Sequence, residues 1–258
     1  MSLPDLRADL GPGVLAFFTR RDGDTSNLAL HVGDDPVRVA AARAALAERA
    51  GVPVMFARQV HGVRVAVVAG QDCHMTIGDP MVGDPAIGDP YGHDLGQDGA
   101  GYDAVVAIGS SVAAGVLVAD CVPVLLADPQ AGVVGAVHAG RKGLLAGVLT
   151  AALVEMTAAG AQPGRIRAAL GPSAGGCCYE VPEAMRRQAA AVLPATGAST
   201  RRGTPALDLR AGCRSVLFDA GVAQVSLVGG CTIEDEGSFS YRRTPVTGRF
   251  AGVVRMLG

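Results

Sequence analysis

The sequence contains no tryptophan, and aromatic residues make up only 4% of its 258 positions. Proteins that bind single-stranded nucleic acids stack the bases on aromatic side chains, so the composition disfavours this class. The 22 basic and 24 acidic side chains leave a formal charge of −2, without the basic excess of a general nucleic-acid binder. We therefore expect no nucleic-acid partner.

Long apolar runs are also absent. The longest uncharged apolar run, Leu144 to Val154, has 11 residues, whereas a membrane-spanning helix needs roughly 20. Residues 1–13 lack the basic start and apolar core of a signal peptide. These features predict a cytoplasmic protein with no membrane partner. In that compartment the six cysteines are expected to be thiols or metal ligands rather than disulfides.

Histidine is scarce, with five residues in the whole chain. A four-copper oxidase would need about ten imidazole ligands from one chain. Five histidines exclude that class by counting, and copper is not expected as the cofactor. His31, His74 and His93 lie in polar or loop-like stretches and are expected at the surface.

Glycine and apolar residues are abundant, at 36 residues and 49% of the chain. This composition supports a sizeable core with many tight turns. Strand-like and helix-like segments alternate irregularly, which predicts an α/β fold: a single domain over residues 1–258 with a mixed β-sheet core flanked by helices. The predicted strands are Val14–Phe18, Arg64–Val68, Ala104–Ile108, Gly115–Ala119, Val122–Ala127, Val133–Val137, Arg165–Leu170, Val222–Val228 and Gly252–Leu257, and the predicted helices are Val37–Ala50, Leu144–Ala159, Pro182–Val192 and Leu207–Ala220.

One low-complexity patch interrupts this pattern. The tripeptide Gly-Asp-Pro occurs three times, starting at Gly78, Gly83 and Gly88. Glycine and proline at this density are typical of serial turns. We interpret residues 78–101 as an inserted surface loop.

Two imidazoles and one thiol lie beside strand-like runs, at His61, Cys121 and His138. Imidazole nitrogen and thiolate sulfur suit a zinc ion, and three protein ligands leave a fourth position for water or substrate. Their spacing matches no compact zinc motif, so from the spacing alone a buried thiol with two hydrogen-bonded histidines is the more ordinary interpretation.

Cys121 and His138 also fit a second chemistry. A thiolate–imidazolium pair could act as nucleophile and base, with Asp120 or Gln59 as the orienting group. The sequence does not separate a cysteine hydrolase or amidase from a zinc enzyme, because both need a cysteine with a depressed pKa. A non-enzymatic binding protein that contains zinc is a third alternative.

Several segments suggest anion binding or acid–base chemistry. The glycine turn from His138 to Gly143 precedes a predicted helix and carries Arg141 and Lys142, as an anion site would. The paired Arg242 and Arg243 would suit a phosphate.

A second glycine turn leads into Cys177, Cys178 and Glu180. The vicinal cysteines are most simply read as small buried residues. Glu180 is a candidate acid–base group, with a solvated carboxylate as the alternative.

Together these segments resemble one family, the YfiH/YlmD type long labelled multicopper polyphenol oxidase or laccase-domain proteins. The matches run in order from residue 19 to residue 249, so the resemblance covers essentially the whole chain. The matching stretches are Thr19-Arg20, Asn27-Leu28, His31-Val32-Gly33-Asp34-Asp35, Gln59-Val60-His61-Gly62, Ala119-Asp120-Cys121, His138-Ala139-Gly140, Gly171-Pro172, Cys177-Cys178-Tyr179-Glu180-Val181, Ser240-Tyr241-Arg242-Arg243 and Thr247-Gly248-Arg249.

The resemblance implies a fold similar to cytotoxic necrotizing factor and a zinc-dependent purine nucleoside phosphorylase acting on adenosine, inosine, guanosine and methylthioadenosine, with adenosine deaminase activity. It implies one Zn²⁺ held by His61, Cys121 and His138, and purine nucleosides and inorganic phosphate as partners of a monomer or small homo-oligomer. The residues expected at the substrate or phosphate are Arg20, Asn27, Gln59, Lys142, Arg242 and Arg243, and the expected catalytic residues are Asp120 and Glu180.

The chain departs from this family at one motif. The usual sequence after the last ligand is His-Ala-Gly-Trp-Arg-Gly, whereas this chain has Arg141 and Lys142. Lysine keeps the charge of arginine but loses its bidentate geometry, and the missing tryptophan removes an apolar wall. The departure therefore bears on substrate preference or rate rather than on the metal ligands.

Overall fold

The computed structural model describes residues 5–22, 26–70, 74–75, 94–95 and 101–258. Most of the predicted loop over residues 78–101 lies outside the described residues. The strands are β1 (Leu6–Arg7), β2 (Val14–Phe18), β3 (Val54–Ala57), β4 (Val65–Ala69), β5 (His74–Met75), β6 (Asp94–Leu95), β7 (Ala104–Ile108), β8 (Ala113–Val118), β9 (Val122–Asp128), β10 (Val133–Ala139), β11 (Arg167–Leu170), β12 (Gly197–Ser199), β13 (Pro205–Leu207), β14 (Gln224–Leu227) and β15 (Phe250–Met256), and the helices are α1 (Pro36–Ala50), α2 (Arg141–Ala146), α3 (Val148–Ala158), α4 (Glu183–Val192) and α5 (Leu209–Asp219).

Two mixed sheets form the core. One has the strand order β1-β2-β15-β8-β3-β6 and the other the order β14-β11-β9-β10-β7-β4-β5. Antiparallel pairs are the majority in both sheets, while β3–β8, β3–β6, β4–β7 and β11–β14 are parallel. The predicted mixed α/β architecture is confirmed. Its strands are divided between two sheets, because an apolar run marks a strand without identifying its neighbour.

The apolar side chains arrange these elements in four layers. One buried cluster, including Phe18 and Leu125, lies between the two sheets. A second, including Leu149, joins the outer face of the seven-stranded sheet to α2–α5. A third, including Phe17 and Leu46, joins α1 to the six-stranded sheet. Strands that are apolar on both faces are buried on both sides, as this layering requires.

Helix ends follow their capping residues. Asp35 caps α1 by accepting a hydrogen bond from Val37 N, and Gly51 ends the helix with φ +76°. The predicted helix Leu144–Ala159 is instead two helices, because Gly147 adopts φ +98° and ends α2 before α3 begins. Among the described residues, no helix has both the length and the hydropathy to cross a membrane.

The sequence did not predict β3, the four-residue strand that leads toward His61. All four of its side chains are buried. A run this short after Pro53 carries little periodic pattern, and its pairing with β8 is what makes it a strand.

Candidate metal centre

The structure brings together the three predicted metal ligands. His61 follows β3, Cys121 lies in the turn between β8 and β9, and His138 is on β10 beside Pro123 of β9. One donor atom from each residue lies within 4.8 Å of the other two. His61 is exposed, Cys121 half-buried and His138 buried, so the group opens to solvent on one side.

Asp103 organises both histidines. Its Oδ1 lies 2.7 Å from Nδ1 of His138 and accepts a hydrogen bond from the His61 N–H at 2.9 Å. Its Oδ2 accepts from the N–H groups of Val60 and Gly62 at 3.2 and 2.6 Å. The carboxylate requires the proton of His138 on Nδ1, which leaves Nε2 of that ring as the nitrogen available to a metal.

Cys121 and His138 shift each other's protonation. Burial alone would raise the pKa of Cys121, but the charge and hydrogen bond of His138, helped by His61, lower it to about 6. Burial would likewise lower the pKa of His138, but the Cys121 thiolate and Asp103 raise it to about 9. The site therefore favours a thiolate at neutral pH, the form that binds metals.

The glycines after His138 serve close packing. A Cβ at Gly140 would lie 2.7 Å from Cδ2 of His61 and 3.0 Å from Sγ of Cys121, and one at Gly143 would lie 2.7 Å from the carbonyl oxygen of Gly62. The sequence predicts an anion site at this turn, formed with Arg141 and Lys142. Neither side chain lines the cavity that opens beside the three donors, which is described below, and Lys142 is exposed.

Two residues of the centre adopt left-handed backbone conformations. They are His61, with φ +60°, and Asp120, with φ +89°. Such conformations are uncommon outside glycine and concentrate at functional sites. Each marks the point where the chain turns sharply to present the residues of the metal centre.

A cavity of about 790 Å³ opens directly beside the three donors. Its wall carries four arginines, Arg43, Arg58, Arg242 and Arg249. Burial lowers the pKa of Arg249, although Cys121 and Asp120 partly offset this by attraction, and a guanidinium stays charged at neutral pH. The cavity thus joins a metal-donor group to a positively charged wall.

Aromatic and apolar side chains form the rest of the wall. The guanidinium carbon of Arg242 lies 4.5 Å from the ring centre of Tyr179, and its Nη1 donates to the Glu180 carbonyl oxygen at 2.8 Å. Tyr241, Leu30 and Leu117 also line the cavity. A cavity of this size and mixed character accommodates a small organic molecule with both apolar and anionic parts.

Gln59 and Asp120 line the cavity, but their side chains form hydrogen bonds with other segments of the chain. The amide of Gln59 donates to the Leu117 carbonyl oxygen at 2.7 Å and accepts from the Leu117 N–H at 2.8 Å. Asp120 accepts from Thr232 Oγ1 at 2.6 Å and from the Arg242 N–H at 2.7 Å. Asp120 is thus placed as an anchor of the Arg242 segment, whereas the sequence predicted a catalytic role.

Three other predicted phosphate-binding residues lie outside this cavity. Arg20 forms an ion pair with Asp235 at 2.9 Å. The Asn27 amide accepts from the Arg249 N–H at 2.9 Å, so it positions a cavity residue from behind. Arg243 donates to the carbonyl oxygens of four residues that precede it, namely Thr232, Ile233, Asp235 and Ser238.

Glu180, a predicted catalytic residue, is exposed and does not line the cavity. Its carboxylate accepts a hydrogen bond from Thr204 Oγ1 at 2.9 Å. Its backbone forms an isolated bridge with Ala206. The contribution of Glu180 to the site is the carbonyl oxygen that holds Arg242.

Sequence reasoning missed Asp103, Arg249 and Tyr179 as parts of the site. Asp103 comes at the start of β7, where an acidic residue entering a buried strand is a usable signal. Arg249 and Tyr179 belong to stretches that carried the family resemblance, but only the fold shows that they face the metal donors. His31, expected at the surface, is exposed and also lines the cavity.

The donor set fits a zinc ion. Two imidazole nitrogens and one thiolate are the ligands that Zn²⁺ favours, and the hydrogen bond from His138 to Asp103 is the usual outer support of a metal-bound histidine. The exposed side of the group leaves room for a water or substrate ligand.

Comparison with protein families gives a match over residues 15–257 to the family described as multi-copper polyphenol oxidoreductase laccase. Purine nucleoside phosphorylase ORF3 of Streptomyces griseus is 44% identical over 247 residues, covering 92% of both chains. A protein named adenosine deaminase RL5, from an unknown prokaryotic organism, is 35% identical over 264 residues and covers 94% of both chains.

Solved structures share the fold. YlmD from Geobacillus stearothermophilus has a TM-score of 0.79 and 28% identity, covering 99% of this chain and 100% of that chain. Neisseria meningitidis protein NMB0706 has the same TM-score and 29% identity, covering 98% and 99%. The likeness therefore extends over the whole four-layer architecture.

Proposed function

Since this chain belongs to the multi-copper polyphenol oxidoreductase laccase family, whose YfiH/YlmD-type structures share its fold, we propose that it is a zinc-dependent purine nucleoside phosphorylase that also deaminates adenosine. Relatives named for each of these activities match the chain over more than nine-tenths of their length. The observation that carries the proposal is that one cavity contains both the metal-donor group and a wall of arginines.

The arginine wall provides the phosphate site of this proposal. Arg242 and Arg249 bind inorganic phosphate, because guanidinium groups match the charge and geometry of a phosphate. The stacking of Arg242 on Tyr179 restrains its guanidinium before phosphate arrives. In phosphorolysis a phosphate oxygen bonds to C1′ of the ribose while the bond from C1′ to the purine breaks, so fixing the phosphate favours the reaction.

The remaining wall provides the nucleoside site. Tyr179, Tyr241 and Leu117 offer aromatic and apolar surface for a purine ring. Adenosine, inosine, guanosine and methylthioadenosine share this ring and a ribose, and the volume of about 790 Å³ admits any of them beside a phosphate.

His61, Cys121 and His138 would hold the zinc ion in this proposal. When bound, zinc supplies a Lewis acid that polarises a substrate group or lowers the pKa of a water. Asp103 keeps the Nδ1 proton on His138 and fixes the direction of the ring. In adenosine deamination, water replaces the amino group at C6 and ammonia leaves, which gives inosine.

One observation favours a second candidate, a cysteine hydrolase or amidase. The opposed pKa shifts of Cys121 and His138 are those of a thiolate–imidazolium pair. Such a pair needs no third donor, yet Nε2 of His61 lies 3.8 Å from Sγ of Cys121. The third donor is the reason that we prefer the metal enzyme.

Product analysis tests the proposed function. Zinc-replete protein incubated with adenosine and phosphate is expected to release adenine and ribose 1-phosphate, and to give inosine without phosphate. The His138→Ala variant, with its stoichiometry of bound zinc measured, is the matched control and is expected to give neither product. Zinc-replete wild type that yields neither base nor inosine would overturn the proposal. Hydrolysis that alkylation abolishes in metal-free protein would favour the amidase.

A further inference from the structure

A second group of potential metal donors lies outside the catalytic cavity. It comprises Cys177, Cys178, Cys231 and Glu234, and one donor atom from each lies within 4.8 Å of the others. We propose that these four residues bind a second zinc ion, which joins two segments behind the cavity wall.

The distances among the four donors suit a tetrahedral ion. Sγ of Cys177 lies 3.3 Å from Sγ of Cys178 and 3.8 Å from Oε2 of Glu234. Zinc–sulfur bonds of about 2.3 Å place two sulfur ligands about 3.8 Å apart. Adjustments of about 1 Å or less in side-chain position therefore complete the site.

The local backbone is arranged to gather these thiols. Gly175 N donates to Sγ of Cys231 at 3.3 Å, the kind of contact that supports a metal-bound thiolate. A Cβ at Gly175 would lie 3.2 Å from Sγ of Cys177 and 3.4 Å from Cβ of Cys231, so glycine permits this approach. Cys177 and Cys178 are half-buried rather than fully buried as the sequence suggested.

One neighbouring cation, Arg201, offsets part of the charge of three thiolates and a carboxylate. Arg201 forms an ion pair with Oε1 of Glu234, which leaves Oε2 on the side of Cys177. The backbone N–H of Arg201 also donates a hydrogen bond to the Cys177 carbonyl oxygen at 3.1 Å. Zinc binding would release the thiol protons to solvent, and the charges of the zinc ion and of Arg201 would then stabilise the resulting anionic donors.

The ion would connect segments that support the catalytic cavity. Thr232, next to Cys231, binds the Asp120 carboxylate, and Tyr179, next to Cys178, stacks under Arg242. The two segments already meet where Thr232 N donates to the Ser173 carbonyl oxygen at 3.0 Å. We assign the second ion a structural role, because its four protein donors leave no open position.

Metal stoichiometry distinguishes the two sites without an activity assay. Wild type loaded with zinc and freed of excess metal is expected to retain two equivalents per chain. The Cys121→Ser variant and the Cys177→Ser, Cys231→Ser double variant are each expected to retain one. Cys213→Ala, which changes a buried thiol outside both donor groups, is the matched control and is expected to retain two.

Measurements on wild type cover the case in which the double variant fails to fold. With Co²⁺ as probe, the two bound equivalents are expected to give thiolate charge-transfer bands of unequal strength, because one donor group has three sulfur atoms and the other has one. Alkylation with peptide mapping is expected to show Cys177, Cys178 and Cys231 protected by zinc and reactive after chelation. Wild type that binds a single equivalent of metal and keeps these thiols reactive would overturn the second site. A Cys177–Cys178 disulfide in protein prepared in a reducing buffer would also overturn it.

Discussion

Asp103 and His138 are joined at two levels, since the Nδ1–Oδ1 hydrogen bond of 2.7 Å lies beside a backbone hydrogen bond of 2.7 Å from His138 N to the Asp103 carbonyl oxygen. The same carboxylate accepts hydrogen bonds from the backbone N–H groups of Val60, His61 and Gly62. One side chain, on the residue that precedes β7, thereby sets the orientation of two candidate metal donors that are 77 residues apart in the sequence.

The Asp103→Asn substitution is expected to weaken zinc binding by about 10–100-fold, the usual cost of losing an outer carboxylate support. An asparagine keeps the size but removes the charge that fixes the His138 tautomer. Competition with a chromogenic chelator measures the change, and Asp219→Asn on the exposed end of α5 is the control. Unchanged affinity would contradict the orienting role of Asp103.

The Gly140→Ala substitution is expected to lower zinc affinity by at least about tenfold while the protein remains folded. The added methyl would lie 2.7 Å from Cδ2 of His61 and 3.0 Å from Sγ of Cys121, which forces the donors apart. Gly164→Ala is the matched control, because no atom lies within 4 Å of a Cβ there. Equal zinc affinity in the two variants would show that the donors do not depend on this close approach.

Arg242→Ala is expected to raise the KM for phosphate about tenfold or more, because a charged hydrogen bond contributes about 1.5–3 kcal/mol. Lys142→Ala is expected to change it less than about twofold, since this side chain is exposed and lies outside the cavity. Initial rates over a phosphate series test both variants. A larger effect at Lys142 would restore the anion site predicted from the sequence.

Arg243→Ala is expected to destabilise the fold by about 2–4 kcal/mol, because four carbonyl oxygens lose a charged donor. Urea denaturation measures this free energy of unfolding. The neighbouring Arg242→Ala is the comparison and is expected to cost less than about 1 kcal/mol, since its side chain is exposed. Equal losses of unfolding free energy in the two variants would contradict the assignment of a structural role to Arg243 alone.

The free energy of unfolding is expected to fall in acid, in part because Asp128 becomes protonated. Burial would raise the pKa of this carboxyl, but hydrogen bonds from Arg165, Gln162 N and Ala131 N hold it below its usual range. Because the folded-state pKa is depressed, the stabilisation is present above the unfolded pKa of about 4 and is lost as the pH falls through the folded value. Asp128→Asn is therefore expected to lose about 1–3 kcal/mol at pH 7.

Urea denaturation of wild type and Asp128→Asn at pH 7 and pH 3 measures this dependence. The difference between the two proteins is expected to shrink at pH 3. Asp219→Asn is expected to stay within about 0.5 kcal/mol of wild type at pH 7. A difference for Asp128→Asn that is the same at both pH values would contradict the electrostatic explanation.

The sequence predicted the elements whose signals are local. Helix α1 has its capping aspartate and terminal glycine in sequence, and β9 and β10 are continuous apolar runs, so their bounds agree closely with the structure. Strand β3 and the division into two sheets escaped prediction, because both depend on pairing between distant segments.

For the candidate site, residue type and motif membership singled out the three potential donors that the fold brings together, but not the residues that position them. Asp103 and Arg249 act through contacts with residues dozens of positions away, which no local pattern records. Arg243 and Asn27 belong to recognisable motifs, yet the fold uses their hydrogen bonds to hold backbone. Membership of a motif therefore does not distinguish a ligand-binding residue from one that supports it.

The position of strand β15 in the sheet affects how the protein folds during its synthesis. It lies between β2 and β8 in the six-stranded sheet, so an early strand and a middle strand share a neighbour made of residues 250–256. During synthesis, β2 and β8 each keep one edge without its strand partner until residues 250–256 emerge from the ribosome. Arg242 and Arg249 lie just before β15, so a nascent chain that already contains His61, Cys121 and His138 still lacks the two arginines that we propose bind phosphate.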